Sequence, residues 1–148
     1  MTIESEDFDQ QLLTIEEFAR LPDDGWRHEL VKGRVVREPY SGFQQGATAA
    51  NVGYVLHQFI GPRDLGRLVL GTGFVLWDEP PTVRGPDVAF VPHSRLNFDH
   101  AGFVPFAPDL AIEVLAPSNT MSEMPTRFSI IWMPDRSSCG SSIRSRRQ

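Results

Sequence analysis

Between Leu13 and Leu115 the chain alternates short apolar runs with turn-forming residues, and each run carries its own period. LTIEEFARLPDD predicts a short helix: Thr14 is placed to cap it, Glu17 three residues later completes a capping box, and Leu13, Phe18 and Leu21 give it an apolar side. RHELVKGRVVREP predicts a hairpin turning at Lys32-Gly33, with Leu30, Val35 and Val36 as its apolar positions. In GFQQGATAANVGYVLHQFIG the residues Ala49, Val52, Val55, Leu56, Phe59 and Ile60 recur at helical spacing and predict the main helix. GRLVLGTGFVLW, from Gly66 to Trp77, is rich in β-formers interrupted by glycine and predicts one curved or bulged strand. After the turn DEPPT, VRGPDVAFVP predicts a strand with Asp87 near its start, and HSRLNFDHAGFVPFA predicts a loop. PDLAIEVLAP is almost wholly apolar, the pattern of a strand covered on both faces. The succession describes an α/β domain built on a mixed central sheet.

Composition narrows the class. At 148 residues, with 41% apolar and 22% charged positions, the chain suits one globular domain. No apolar run approaches the roughly 20 residues of a membrane helix, and MTIESEDFDQ is too acidic and polar for a secretory signal. A single cysteine, Cys139, excludes an internal disulfide framework and a multi-cysteine zinc site. A cytoplasmic protein with no membrane partner is expected. Charge is uneven: residues 1–124 carry nine basic and eighteen acidic groups, a net of −9, whereas 125–148 carry five arginines against Asp135, a net of +4. So acidic a body is a poor non-specific DNA binder, because phosphate affinity comes mostly from Lys and Arg.

Two carboxylates interrupt the apolar strands. Glu113 sits between Ile112 and Val114, and Asp87 is followed directly by Val88, Ala89, Phe90 and Val91. Burying a carboxylate costs several kcal/mol unless it is paired, hydrogen-bonded or metal-bound. Two acids on two central strands suit a divalent cation such as Mg²⁺, which takes one or two carboxylates and keeps several waters. The competing reading is that Asp87 caps a turn after Pro86 and that Glu113 pairs with one arginine.

PDVAF, followed by a loop and PDLAIEVLAPSNTMSE, resembles the putative restriction endonuclease family within the PD-(D/E)XK nuclease superfamily. HELVKGRVV resembles that family's first hairpin and GFVLWDEPPTVRGPDVAFVP its central strand pair; the resemblance covers residues 14–124. It implies a restriction endonuclease-like fold, a mixed central sheet flanked by helices, and Mg²⁺-dependent (or Mn²⁺-dependent) hydrolysis of DNA phosphodiesters. By the same resemblance Asp87 and Glu113 are the metal ligands, Glu29 is a third catalytic acid near the metal, and a homodimer is admitted. Where the family commonly carries a histidine opening the main helix, this sequence has Gln45. The superfamily's lysine two residues after the glutamate is replaced by Leu115; this family tends to supply a lysine from the following helix, yet the only lysine in this chain is Lys32.

The end of the chain departs further. From Pro125 serines cluster, arginines accumulate and no apolar face lasts two turns, so the family's final helix and strand are expected to be missing. Reading the codons one frame over from about codon 124 permits apolar residues at helical spacing, a lysine and a β-rich run ending in Asp-Pro, which points to a frameshift. The expected organisation is therefore a flexible segment 1–13, a nuclease-like domain 14–124, and a non-native-looking basic tail 125–148. Loss of the last helix and strand predicts an exposed apolar patch. The nuclease is therefore expected to be impaired by loss of its catalytic lysine, and the alternatives are a catalytically inactive nucleic-acid- or protein-binding module on the same fold, or a pseudogene product.

Other features carry less. His28-Glu29 would need a histidine at 32 for a zinc-protease motif, and Lys32 stands there. His57, His93 and His100 lack ligand spacing, Ser41 and Ser118 lack a nucleophile-elbow context, and Gly71-Thr-Gly73 is far weaker than a phosphate loop. Trp26, Trp77 and the phenylalanines are expected to anchor core and loops.

Overall fold

The computed structural model describes residues 11–115 and the backbone of one further strand, Arg127–Trp132. Ser118, Glu123, Cys139 and the rest of the basic tail lie outside the described residues. The short helix α1 (Ile15–Ala19) forms as its capping box demands: the Thr14 hydroxyl accepts from the Glu17 N–H, and the Glu17 carboxylate accepts from the Thr14 N–H. Its apolar side meets the hairpin β1 (Arg27–Val31) and β2 (Arg34–Glu38), so Leu13, Phe18, Leu30, Val35 and Val83 form one buried cluster.

The hairpin turn needs left-handed backbone at both loop positions, with φ of 53° at Lys32 and 79° at Gly33. That is the geometry of a two-residue hairpin loop whose twist matches its strands. The Gly33 carbonyl also accepts from the Leu13 N–H, and a Cβ at Gly33 would meet Leu12 at 3.4 Å, so the segment before α1 lies close against the turn. Gly33→Ala is expected to cost about 1–2 kcal/mol, the penalty for an L-residue in this region. A urea midpoint lowered with an unchanged denaturant slope checks it.

The central feature is that two apparent strands are each split between two sheets. One sheet runs β2-β1-β5-β4 and the other β3-β6-β7-β8. The segment expected to be one bulged strand is β3 (Gly66–Leu70) in the second sheet and β4 (Phe74–Trp77) in the first. Likewise VRGPDVAFVP divides into β5 (Thr82–Arg84) and β6 (Val88–Pro92). Glycine punctuates both crossings, and the crossings bond to each other through the Gly71 N–H and the Pro86 carbonyl. The sheet ladders are antiparallel; the parallel element is a single bridge between Phe74 and Val104. That bridge fixes the 93–109 loop over a second buried cluster of Phe74, Ala89, Val91 and Val104.

The main helix α2 (Phe43–Ile60) lies across β3, β6 and β7. Its apolar positions are less covered than their spacing predicts: Ile60 is buried, but Val55 and Phe59 are exposed, as are Tyr54 and Phe43. Trp26 is exposed as well, so it does not anchor the core. The last described elements are β7 (Leu110–Leu115), buried on both faces at Ala111 and Ile112, and β8 (Arg127–Trp132). The α/β class therefore holds, with two antiparallel sheets in place of the one mixed central sheet expected and a further difference at the C-terminal side. No strand was expected after Pro125, yet β8 pairs with the whole of β7, from Leu115↔Arg127 to Leu110↔Trp132. The residue run Phe128, Ile130, Ile131, Trp132 supplies the β-formers for it despite the surrounding serines and arginines.

Candidate functional site

Two cross-strand relationships build the site. In the first sheet Leu30 pairs with Val83, so the antiparallel register carries Glu29 opposite Arg84. In the second, Val88 pairs with Ile112, so the register carries Asp87 opposite Glu113. The crossing at Gly85-Pro86 is short, which brings Arg84 and Asp87 into one place. The three acids singled out from the sequence, Glu29, Asp87 and Glu113, consequently line a single polar cavity of about 170 Å³. Tyr40, Ser41 and Gln45, from the segment opening α2, close its other side.

The two pairs differ in charge. Glu29, only 4% exposed, is fully engaged: Oε2 takes the Arg84 Nε at 2.6 Å and Oε1 accepts from the Gly85 N–H at 2.9 Å. Opposite charges facing across strands stabilise, whereas like charges directly opposite repel. Asp87 and Glu113 are of the second kind. Asp87 Oδ2 accepts from the Val114 N–H at 2.7 Å, which ties β6 to β7 and leaves Oδ1 toward the Arg27 guanidinium at 4.0 Å. Asp87 therefore bonds the neighbouring strand rather than capping a turn. The Glu113 carboxylate makes no hydrogen bond or ion pair among the described residues, so the arginine partner of the competing reading belongs to Glu29 instead.

Burial first, and then the nearby charges of Asp87 and Glu29, push the Glu113 carboxyl above its ordinary value of 4.5; Arg27 and Arg84 oppose this. The consequence for stability has a definite sign. Because the folded state favours the protonated form, the contribution of Glu113 is fully present below pH 4.5 and is lost as pH rises through the raised value. Glu113→Gln is therefore expected to raise the melting temperature at neutral pH, with the gain over wild type vanishing below pH 4.5. A melting series from pH 7 to pH 4 checks it; equal midpoints throughout would remove the charge strain from the account.

The donor set fits one divalent cation. Glu29, Glu38, Asp87 and Glu113 against Arg27 and Arg84 leave a net of −2 around the cavity, which two positive charges cancel. Among the described residues no three Asp, Glu, His or Cys side chains form a ready-made metal cage; Asp87 and Glu113, on facing strands, offer two carboxylates, a number within what Mg²⁺ takes from a protein. Gln45, standing where the resemblance led one to expect histidine, donates from Nε2 to the Val114 carbonyl at 2.9 Å and so holds β7 beside Glu113. Lys32 sits at the hairpin turn, not among the residues of this cavity. It faces a larger apolar cleft of about 660 Å³, lined by Trp77, Pro80 and Pro108, on which Arg84 and Glu113 also border. His28 lies 3.4 Å from Asp24 at the hairpin. Arg27 and Arg84 carried no signal in the sequence, since which acid an arginine meets depends on strand pairing.

Comparison with known proteins agrees with this fold. The model of the Uma2 family, described as a putative restriction endonuclease, matches residues 15–130. Among solved structures, a putative nuclease belonging to DUF820 from Anabaena variabilis superposes with a TM-score of 0.60 at 24% identity, covering 73% of this chain. At that identity the likeness speaks for the fold. The chain spans 62% of the length of that protein. No curated protein matches it.

Proposed function

From the premise that this chain belongs to the Uma2 family of putative restriction endonucleases, we propose that it is a divalent-metal-dependent nuclease acting on DNA phosphodiester bonds. The observation that carries this reading is the unneutralised pair Asp87 and Glu113, facing each other across β6 and β7 in a polar cavity. Mg²⁺ or Mn²⁺ held by these two carboxylates would activate water and offset the charge that develops on the phosphate. Glu29 is the supporting acid: it fixes Arg84 and the Gly85 backbone, and so sets where the crossing delivers Asp87. The second sheet's neighbour strand β8 keeps β7, and with it Glu113, from being an open edge. A cytoplasmic setting, where DNA is at hand, suits this reading. Among the described residues no helix is long and apolar enough to cross a membrane.

The test is cleavage of supercoiled and linear duplex DNA by purified protein in Mg²⁺, in Mn²⁺ and in EDTA. Nicking or cutting that needs the metal supports the proposal. A melting temperature raised by Mg²⁺ with no cleavage of any DNA would replace it with an inactive binding module.

A further inference from the structure

Arginines 27 and 84 share the site, but their commitments differ. Arg84 is bonded through Nε to Glu29 at 2.6 Å. The Arg27 guanidinium makes no hydrogen bond among the described residues: its terminal nitrogens stand 3.7 Å from Glu29 Oε1 and 4.0 Å from Asp87 Oδ1, beyond bonding reach. Each of those oxygens has a reason not to close on it. Glu29 Oε1 is taken by the Gly85 N–H, and Asp87 is held through its other oxygen by the Val114 N–H. The Arg27 side chain is 34% exposed, so the guanidinium lies at the mouth of the cavity with its donor fork unspent. Gly85 makes room for it, because a Cβ there would come within 3.2 Å of Arg27 Nη2. A planar fork of N–H donors suits the paired oxygens of a phosphate better than a point charge does.

We propose that Arg27 is the phosphate-binding cation of this site, taking the non-bridging oxygens of the DNA phosphate that lies over Asp87 and Glu113. The inference rests on the nuclease reading and deepens it. The guanidinium stays protonated throughout, and its charge is set against a cavity that otherwise repels phosphate through four acids. With Lys32 confined to the hairpin turn and Arg84 bonded to Glu29, Arg27 is, among the described residues lining this cavity, the cation whose donors remain available beside the acids.

The experiment uses the full chain, wild type and the variants Arg27→Gln and Arg27→Lys, with melting curves to establish that each is folded. Binding of a short fluorescent duplex is measured by anisotropy in Ca²⁺ across a salt series, and cleavage is measured separately in Mg²⁺. Loss of one phosphate contact lowers the slope of log affinity against log salt by about 0.9, so Arg27→Gln is expected to show that drop and Arg27→Lys to keep the wild-type slope. Cleavage by Arg27→Gln is expected to fall about a hundredfold, as when one preorganised donor is removed. Equal slopes for Arg27→Gln and wild type, or equal losses in both variants, overturn the role given to Arg27. If wild type cleaves DNA and Arg27→Gln cleaves it at the same rate, the inference alone fails. If wild type neither binds nor cleaves DNA with any divalent metal, the nuclease reading fails and takes this one with it.

Discussion

Asp87→Asn is expected to give a folded protein that has lost metal-dependent DNA cleavage by on the order of a thousandfold, matching the several kcal/mol of charge stabilisation that a bound divalent cation supplies. The choice of asparagine matters because Asp87 has two tasks. Its Oδ2 accepts from the Val114 N–H at 2.7 Å, and an amide oxygen can continue to do so. Its negative charge faces Glu113, and asparagine removes that. Asp87→Ala removes both, leaving the Val114 N–H without its partner at a cost of about 1–3 kcal/mol. The two variants should therefore part company in stability while agreeing in activity. Melting with and without Mg²⁺ separates the tasks: wild type gains in melting temperature with the metal and neither variant does. A Mg²⁺-dependent gain retained in Asp87→Asn would take the metal away from this residue.

Gly66→Ala is expected to be the most damaging glycine-to-alanine change among the described residues. Gly66 opens β3 opposite Pro92, with φ of 157°, and a Cβ on it would lie 2.1 Å from the Val91 carbonyl oxygen and 2.7 Å from the Pro92 Cα. Both are backbone atoms of the adjoining strand, so no side chain can swing aside and the β3–β6 ladder must open. About 3 kcal/mol is the expected loss, at the upper end for overpacking, or roughly 10 °C in melting temperature for a chain of this size. The control is Gly53→Ala in the middle of α2, where the added Cβ would meet only Leu70 Cδ2 at 3.7 Å. That change should stabilise by about 0.5–1 kcal/mol through helix preference alone. If both variants melt together, the close approach of β3 to β6 is not as described.

How much of this was legible beforehand depends on the range of the interaction. The α1 capping box and the Lys32-Gly33 turn are settled within four residues, and sequence spacing found them. Asp87 and Glu113 stood out because carboxylates inside apolar runs are costly, and the structure gathers both, with Glu29, at one cavity. The splitting of GRLVLGTGFVLW and VRGPDVAFVP was not legible: a glycine inside a β-rich run announces a bulge and a crossing in the same way. Arg84 and Arg27 were invisible for a related reason, since their partners are fixed by the β1–β5 register and by the crossing. In α2 the spacing found the helix but overstated its burial, because periodicity records which positions could be covered and not what covers them. Strand β8 was obscured by composition: serines and arginines around Phe128 to Trp132 drew attention from a run of β-formers.

The crossing at Gly85-Pro86 has a mechanical consequence. Arg27 and Glu29 belong to one sheet and Glu113 to the other, while Arg84 and Asp87 sit on either side of the only two residues between them. A DNA phosphate gripped by Arg27 on one side, and by a metal on Asp87 and Glu113 on the other, would act as a rivet through the seam. Amide hydrogens of β1 and β5 and those of β6 and β7 should then slow their exchange together when metal and DNA are both present, and metal alone should protect chiefly the second sheet.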